Sequence, residues 1–313
     1  MTAEILMIQP LPEPTEAELD ATYTVHRLYA AADAQALLRE VGPRIRGVVT
    51  GGVKGASRAL MEALPKLEIV AVSGIGTDAV DLSYARERGI RVTTTPGVLT
   101  EDVADMAMAL VLATLRQTVA NDRFVRSGQW SGGVAPPMSR KVSGTRLGIL
   151  GLGQIGRAVA RRAEGFGMPI SYNNRNPVPD VPYRFVADAL TLARDCDVLV
   201  VAVSGGAATR GLVSEAVIEA LGPDGVLVNV ARGSVVDEDA LVRALQDGRL
   251  GGAGLDVFAD EPRVPEALLG MDQVVLQPHR ASATVETRLE MGRIVLRNLA
   301  AQFAGEPLPS AVV

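Results

Sequence analysis

The sequence predicts an α/β protein of two domains, each built on a parallel sheet. The chain has 313 residues, about twice the usual size of one domain. Short apolar runs alternate with amphipathic helical patterns, which is typical of parallel sheets covered by helices. The runs form two series, and the turn signal Thr95-Pro96-Gly97 separates them. The first series comprises residues 4–8, 47–50, 68–73 and 91–93, and the second comprises residues 146–150, 170–172, 198–203, 226–230, 254–257 and 274–276.

The composition excludes several classes of protein. A net charge of -5 leaves no excess of cations to neutralise a nucleic-acid backbone. The only cysteine, Cys196, cannot form an internal disulfide, and residues 1–11 carry no Lys or Arg, unlike a signal peptide. The uncharged apolar run at residues 106–115 is only about half as long as a membrane span. We therefore expect a cytoplasmic protein with no nucleic-acid partner, no membrane partner and no metal site.

A long helix and an irregular segment follow the turn signal. Thr100 can cap a helix that is apolar almost all round from Val103 to Leu115, so we expect it to be buried on several faces, and either a domain junction or a subunit interface could cover it. Residues 121–144, which include Trp130, show no period and are interpreted as an arm that reaches a partner subunit. The last helical pattern, residues 284–303, can return the chain to the first domain.

A glycine-rich turn gives the strongest local signal. The motif from Gly151 through Gly153 to Gly156 follows an apolar strand, and Gln154 and Ile155 open the next helical pattern. The first glycine permits a tight turn, the second lets the backbone approach a pyrophosphate, and the third lets helix and strand pack closely. The helix amino end attracts the anion. The motif indicates dinucleotide binding; the alternative is a turn that the glycines merely tighten.

The end of the next strand indicates which dinucleotide is bound. An NAD site usually offers Asp or Glu there to the ribose 2′-hydroxyl. This chain instead has Asn174, Arg175 and Asn176, and its next acidic residue is Asp180. Arg175 can pair with a 2′-phosphate and the amides can donate hydrogen bonds to it. The sequence therefore favours NADP (NADPH) over NAD; the alternative is that Arg175 is a solvated loop residue.

Three charged residues follow three later strands. Arg232, Glu261 and His279 each lie just beyond a strand, so they should meet at the carboxyl edge of the sheet, where ligands bind. Singly, they could be a surface ion-pair partner, a loop carboxylate and a capping or core histidine. The other histidine, His26, has no motif around it.

Together these three residues suit the reduction of a 2-oxo acid. His279 can exchange a proton with the carbonyl oxygen near neutral pH. Glu261 can fix the tautomer of the imidazole and favour its protonated form. Arg232 can bind the substrate carboxylate and polarise the carbonyl. A nicotinamide nucleotide would supply the hydride.

With these motifs in place, the chain resembles the D-2-hydroxyacid dehydrogenase family over nearly its whole length. The resemblance depends on the glycine motif, on residues 229–233, on residues 254–258 with Glu261-Pro262, and on Pro278-His279. The interval of 18 positions between Glu261 and His279 resembles the glyoxylate and hydroxypyruvate reductase branch. The family implies a flavodoxin-like substrate domain, residues 1–97 plus 286–313, a Rossmann-like nucleotide domain inserted at residues 98–285, and a homodimer.

The resemblance also implies roles for further residues. Backbone amides near Ile75 and Gly76 would hold the substrate carboxylate, and Val53 would line the pocket. Val230 and Asp256 would belong to the nucleotide site, with Asp256 contacting the nicotinamide carboxamide.

Two departures from the family pattern leave the choice of 2-oxo acid open. Arg280 is a second cation next to His279, and residues 205–208 replace the Pro and Thr often seen after the fourth strand.

Two other functions compete with this interpretation. The same fold serves regulatory proteins that sense NAD(P), although no basic patch or interaction tail supports that role here. An NAD-linked enzyme for another substrate, such as formate or phosphoglycerate, is disfavoured by Asn174 and Arg175.

Overall fold

Two parallel β-sheets organise the protein in a computed structural model that describes residues 2–313. One compact unit comprises the described residues up to Leu99 together with Ala283–Val313, and the other is Thr100–Ser282. The sequence placed the inserted domain at residues 98–285. The predicted fold class, two parallel α/β domains with one inserted in the other, is confirmed.

The first unit is built on a sheet in the order β2-β1-β3-β4-β5, with every neighbouring pair parallel. Its strands are β1 Glu4–Met7, β2 Thr24–Arg27, β3 Ile45–Gly51, β4 Ile69–Ser73 and β5 Arg91–Thr93. Its first helices are α1 Glu13–Thr22, α2 Ala34–Val41, α3 Arg58–Glu62 and α4 Leu82–Arg88. Two clusters of buried apolar side chains cover the sheet, and the order is that of flavodoxin-like folds.

The second unit is built on a sheet in the order β12-β11-β10-β9-β6-β7-β8, also parallel throughout. Its helices are α5 Thr100–Leu115, α6 Thr118–Arg126, α7 Gln154–Glu164, α8 Ala189–Asp195, α9 Glu215–Leu221, α10 Glu238–Gln246 and α11 Glu266–Leu269. Its strands are β6 Leu147–Leu150, β7 Ile170–Asn173, β8 Arg184–Phe185, β9 Val198–Val201, β10 Val226–Asn229, β11 Gly252–Leu255 and β12 Val274–Leu276. This is the Rossmann order with one further strand.

Helix α5 is buried mainly by its own unit. Eight of its residues are buried, and it packs against α7, β10 and β11. The sheet face and the neighbouring helix thus bury half of its residues, and coverage of the others by a domain junction or a subunit interface stays a prediction. Across residues 2–313 no single helix is long and apolar enough to cross a membrane; α5 and α6, bent by 60° at their break, meet that length and composition only as a pair.

The segment interpreted as an arm is partly helical. Helix α6 extends to Arg126, whereas residues 127–146 form turns and irregular structure. The prediction of irregular structure from residue 121 onward was wrong for the first six residues. A helix of nine residues is too short to show a clear apolar period, although Asp122 and Arg126 form an ion pair one turn apart.

The last helix, α12 (Val285–Ala304), belongs to the first unit. It begins after Thr284, whose hydroxyl oxygen accepts from Thr287 N at 3.2 Å, and it ends at Gly305 with φ 73°. It packs against β4 and α1. The residues after it pair with β5 through an antiparallel bridge between Thr93 and Ala311.

Candidate active site

Three loops at one edge of the seven-stranded sheet bring together the predicted catalytic residues. Arg232 follows β10, Glu261 follows β11 and His279 follows β12, and these strands are neighbours in the sheet. Because all three strands are parallel, their carboxyl ends meet at the same edge.

Glu261 and His279 form a hydrogen-bonded pair. The Glu261 Oε2 atom lies 2.8 Å from His279 Nδ1, and the side chains are 18% and 28% exposed. Glu261 Oε1 accepts a second hydrogen bond, from the backbone N–H of Phe258 at 3.1 Å. The carboxylate is therefore fixed from two sides, and Nε2 is the imidazole nitrogen left for a substrate.

The surroundings of Glu261 keep it charged. Burial by itself raises the pKa of this carboxyl, but the bond to His279, the bond from Phe258 and the charge of Arg232 outweigh burial, and the net pKa is lowered. A small cavity of about 100 Å³ borders the pair. It is lined by Phe258, Glu261, Pro262, Val264, Pro278 and His279.

Asp256 fixes the loop that carries His279. Its carbonyl oxygen accepts from His279 N at 2.8 Å, and its carboxylate accepts from Arg280 N at 2.7 Å and from Ala281 N at 3.0 Å. His279 itself has φ 54°, in the left-handed region that a residue with a Cβ adopts only at a cost in free energy. Three consecutive N–H groups bound to one residue hold the backbone in that conformation.

This role of Asp256 is not evident from the sequence. The resemblance assigns Asp256 to the nucleotide site, and the observed bonds join its strand end to the loop after the next strand, 24 and 25 positions along the chain. The Asp256 side chain is almost wholly buried, and burial raises its pKa even though the two N–H bonds act in the opposite direction.

The loop of Arg232 is shaped by the residues on either side of it. The buried side chain of Asn229 accepts from Ala231 N at 3.0 Å and donates to the Arg232 carbonyl at 2.9 Å. A Cβ at Gly233 would overlap the backbone of Phe258, so a glycine is required where this loop meets the loop of Glu261. The Arg232 guanidinium donates to the Ala231 carbonyl at 2.7 Å.

A second carboxylate supports the Glu261 loop. Glu238 Oε1 accepts from Ala259 N at 2.9 Å, and burial raises the pKa of Glu238. Nothing in the sequence pattern singled out Glu238, because its partner lies 21 positions away on another loop.

The three motif glycines differ in how closely their surroundings approach them. Gly151 has φ 102°, and a Cβ there would lie 2.7 Å from Val203 N. A Cβ at Gly156 would overlap the carbonyl oxygen of Gly151, so α7 packs directly on the turn. At Gly153 a Cβ would meet nothing within 4 Å. The turn is thus closed on its inner side and open at the amino end of α7, where a pyrophosphate would fit.

The other predicted nucleotide-site residues surround this turn in the same unit. Asn174 Oδ1 accepts from Leu152 N at 2.6 Å, which ties the end of β7 to the glycine turn. Arg175 and Asn176 are exposed beyond it.

Two further positions open helix α7, and a third follows β10. Gln154 accepts from the Thr100 hydroxyl at 3.4 Å, and Ile155 is half-buried in the first turn of α7. Val230 is buried, and its N–H donates to the carbonyl of Val201 at 3.3 Å. Within residues 2–313, no group of three or more His, Cys, Asp or Glu side chains could hold a metal ion.

The predicted substrate-binding residues lie in the first unit, just beyond the carboxyl ends of two of its strands. Val53 follows β3, and Ile75 and Gly76 follow β4. Val53 and Ile75 are 49% and 43% exposed, so both present apolar surface in these loops.

Comparison with known proteins identifies a family. The model of the NAD binding domain of D-isomer specific 2-hydroxyacid dehydrogenases matches residues 108–281. A glyoxylate/hydroxypyruvate reductase A of Arabidopsis thaliana is 47% identical over 309 residues, which cover 99% of this chain and 98% of that protein. A hydroxyphenylpyruvate reductase of Plectranthus scutellarioides is 48% identical over 309 residues, with the same coverage of the two chains.

Among solved structures, one close match contains a nucleotide. It is the NADPH-dependent glyoxylate/hydroxypyruvate reductase of Sinorhizobium meliloti in complex with NADP and malonate. The two chains superpose with a TM-score of 0.94 at 42% identity, and the match covers 100% of this chain and 97% of the other.

Proposed function

Since the chain belongs to the D-2-hydroxyacid dehydrogenase family, we propose that it reduces a small 2-oxo acid of the glyoxylate or hydroxypyruvate class to the D-2-hydroxy acid with NADPH. The observation that carries this proposal is the Glu261–His279 pair, with the charge of Arg232 acting on it, at the carboxyl edge of a Rossmann sheet. The relatives that are glyoxylate/hydroxypyruvate reductases support the substrate class.

The chemistry follows from the orientation of the pair. The nicotinamide nucleotide, when bound, supplies the hydride that adds to C2 of the substrate. The carbonyl π bond breaks, and its oxygen takes the proton that His279 gives up from Nε2. Glu261 stabilises the protonated imidazole through Nδ1, and the Arg232 guanidinium binds the substrate carboxylate and polarises the carbonyl. A proton from water then restores His279.

The glycine turn and the end of β7 support NADPH as the reductant. Gly153 and the N–H groups of Gln154 and Ile155 would face the pyrophosphate. Arg175, Asn176 and the amide nitrogen of Asn174 would bind the 2′-phosphate, since residues 173–179 contain no acidic side chain to repel it. The Sinorhizobium meliloti reductase, which is NADPH-dependent, supports the same assignment. NAD is the less favoured cofactor.

For the substrate, we assign the carboxylate to Arg232 and to the backbone N–H groups near Ile75 and Gly76, and an apolar contact to Val53. Val230 and Asp256 would border the nicotinamide. These roles follow the family pattern, and the residues stand at the carboxyl ends of their strands, as ligand-binding residues of α/β sheets do.

Absorbance of NADPH with glyoxylate or hydroxypyruvate tests the proposal. We expect turnover by the wild-type protein and a loss of about 10²- to 10⁴-fold in His279→Ala, the usual contribution of a general acid. Arg232→Ala should lose most turnover as well. The matched control is His26→Ala, which removes the other histidine and should leave turnover near wild type. Wild-type kcat in His279→Ala or Arg232→Ala would refute the assigned roles.

A further inference from the structure

The first sheet has its own point at which the strand order reverses. In the order β2-β1-β3-β4-β5 the chain leaves β1 toward one edge and continues from β3 toward the other. In open α/β sheets, ligands bind outside the carboxyl ends of the two strands at such a point. Gln9 follows β1, and Gly51 is the last residue of β3, so these two residues stand at that place.

The side chain of Gln9 lies directly on Gly51. A Cβ at Gly51 would lie 2.6 Å from Gln9 Cδ and would overlap both amide heavy atoms, so only glycine allows this position of the amide. The backbone fixes the arrangement, because Ile8 N donates to the Val49 carbonyl at 2.9 Å. Among residues 2–313, none forms a hydrogen bond with the Gln9 side chain, which is half-buried. Its donor and acceptor are therefore available to a ligand.

The neighbouring loops limit the kind of ligand. Val53 and Ile75 present half-exposed apolar side chains in the loops after β3 and β4. These two loops touch, since a Cβ at Gly74 would lie 3.4 Å from Gly52 N. Gln9, Val53 and Ile75 thus follow the carboxyl ends of three neighbouring parallel strands, β1, β3 and β4. One amide and two apolar side chains have the composition of a pocket in which a single polar group sets specificity.

We propose that Gln9 is a specificity residue that hydrogen-bonds a hydroxyl on C3 of the 2-oxo acid. A primary amide both donates and accepts, and so does a hydroxyl, whereas a second carboxylate can only accept and would leave the amide oxygen without a donor. The carboxylate on C1 is already assigned to other groups. Substrates with a C3 hydroxyl, such as hydroxypyruvate, are then preferred over pyruvate, which has only a methyl group there. This inference rests on the proposed function.

The test compares three acids with wild-type protein and Gln9→Met, a variant of similar length without hydrogen-bonding groups. We expect the ratio of kcat/KM for hydroxypyruvate to that for pyruvate to fall about tenfold in Gln9→Met, while kcat/KM for glyoxylate, which has no C3, stays within about twofold. The matched control is Gln35→Met, on the exposed face of α2, which should leave the ratio unchanged.

The outcomes separate this inference from the function on which it rests. An unchanged ratio in Gln9→Met, or an equal loss with all three acids, would overturn the role of Gln9 alone. If wild-type protein reduced none of the three acids, the proposed function would fail, and the role of Gln9 with it. A thermal melt of Gln9→Met that matches the wild-type melt shows that a change in ratio reflects recognition and not folding.

Discussion

At the scale of single residues, the charge of Glu261 decides how the site responds to pH. Its pKa is lowered even though burial acts in the opposite direction, so it stays charged from alkaline pH to below the usual range of a glutamate. Glu261 itself therefore contributes no limb to the pH profile near neutrality. The Glu261 carboxylate stabilises the protonated form of His279 through the 2.8 Å bond to Nδ1.

We expect Glu261→Gln to shift the pH profile to lower pH. The neutral amide still accepts a hydrogen bond but no longer offsets the charge of the imidazolium. In the pH profile for reduction, the alkaline limb should move down by about one pH unit. In the profile for oxidation of the hydroxy acid, the acidic limb should move by the same amount. One unit corresponds to the loss of about 1.4 kcal/mol of interaction with the imidazolium. Profiles of kcat/KM measure the shift, with the exposed Glu266→Gln as control. Coincident profiles would argue against the pairing.

The cofactor preference depends on one exposed arginine. Charge-assisted hydrogen bonds to a 2′-phosphate contribute about 1.5–3 kcal/mol each, less where water competes. Arg175→Ala should thus weaken NADPH binding by about tenfold or more and leave NADH binding nearly unchanged. Higher salt should narrow the difference, because the interaction is ionic. Titration of both nucleotides measures it, with Arg184→Ala as a matched exposed arginine. An equal effect on NADPH and NADH would mean that Arg175 is a solvated loop residue.

At the scale of secondary-structure elements, the connection between β11 and the loop after β12 determines where His279 lies. In Asp256→Asn, one of the two oxygens that accept from Arg280 and Ala281 becomes a donor, so one N–H loses its acceptor. We expect a loss of about 1–3 kcal/mol in the free energy of unfolding. We also expect a fall in kcat of about tenfold to hundredfold as His279 leaves its aligned position.

The division of this effect between kcat and KM distinguishes two roles for Asp256. A residue that positions His279 changes kcat, whereas a residue whose main role is to hold the nicotinamide changes the KM for NADPH. Steady-state kinetics of Asp256→Asn beside the exposed Asp239→Asn provides the comparison. A raised KM for NADPH with wild-type kcat would be incompatible with the positioning role.

The elements that sequence predicted well are those whose signals are local. The glycine turn between β6 and α7 carries its own conformational requirements, and the central strands are buried on both faces and therefore read as apolar runs. Strands β2 and β8 were not predicted, because they lie at or near an edge of their sheets and Val25 is the only apolar residue of β2. These two strands form because they pair with a neighbouring strand, and their own residue pattern does not predict them.

In the candidate site, too, the features with local sequence signals were predictable and those that depend on long-range contacts were not. Arg232, Glu261 and His279 were predictable, since each follows a strand with a recognisable motif. Three other features were not predictable: the bonds of Asp256, the hydrogen bond from Ala259 N to Glu238, and the position of Gln9 over Gly51. Each joins segments of the chain that are brought together only by the order of the strands in the sheet.

At the scale of the whole molecule, exposed apolar side chains are concentrated in one segment. Residues 119–138, in α6 and the irregular arm, contain five of the large exposed hydrophobic side chains: Val119, Val125, Trp130, Val134 and Met138. Trp130 is 66% exposed and Met138 is 99% exposed. Apolar surface of this extent usually marks a binding interface. Helix α5 does not contribute much to it, since its own unit covers most of it.

We therefore predict a homodimer in which the arm is covered by a second copy of the chain. Sedimentation velocity at micromolar concentration should give the mass of two chains, and the double variant Trp130→Glu/Met138→Glu should shift it toward one, because a charge buried at an interface without a partner costs several kcal/mol. Val285→Glu, at an exposed apolar residue outside the arm, is the control and should remain dimeric. A monomeric wild-type protein would refute the dimer, and a double variant that remained dimeric would exclude the arm as its interface.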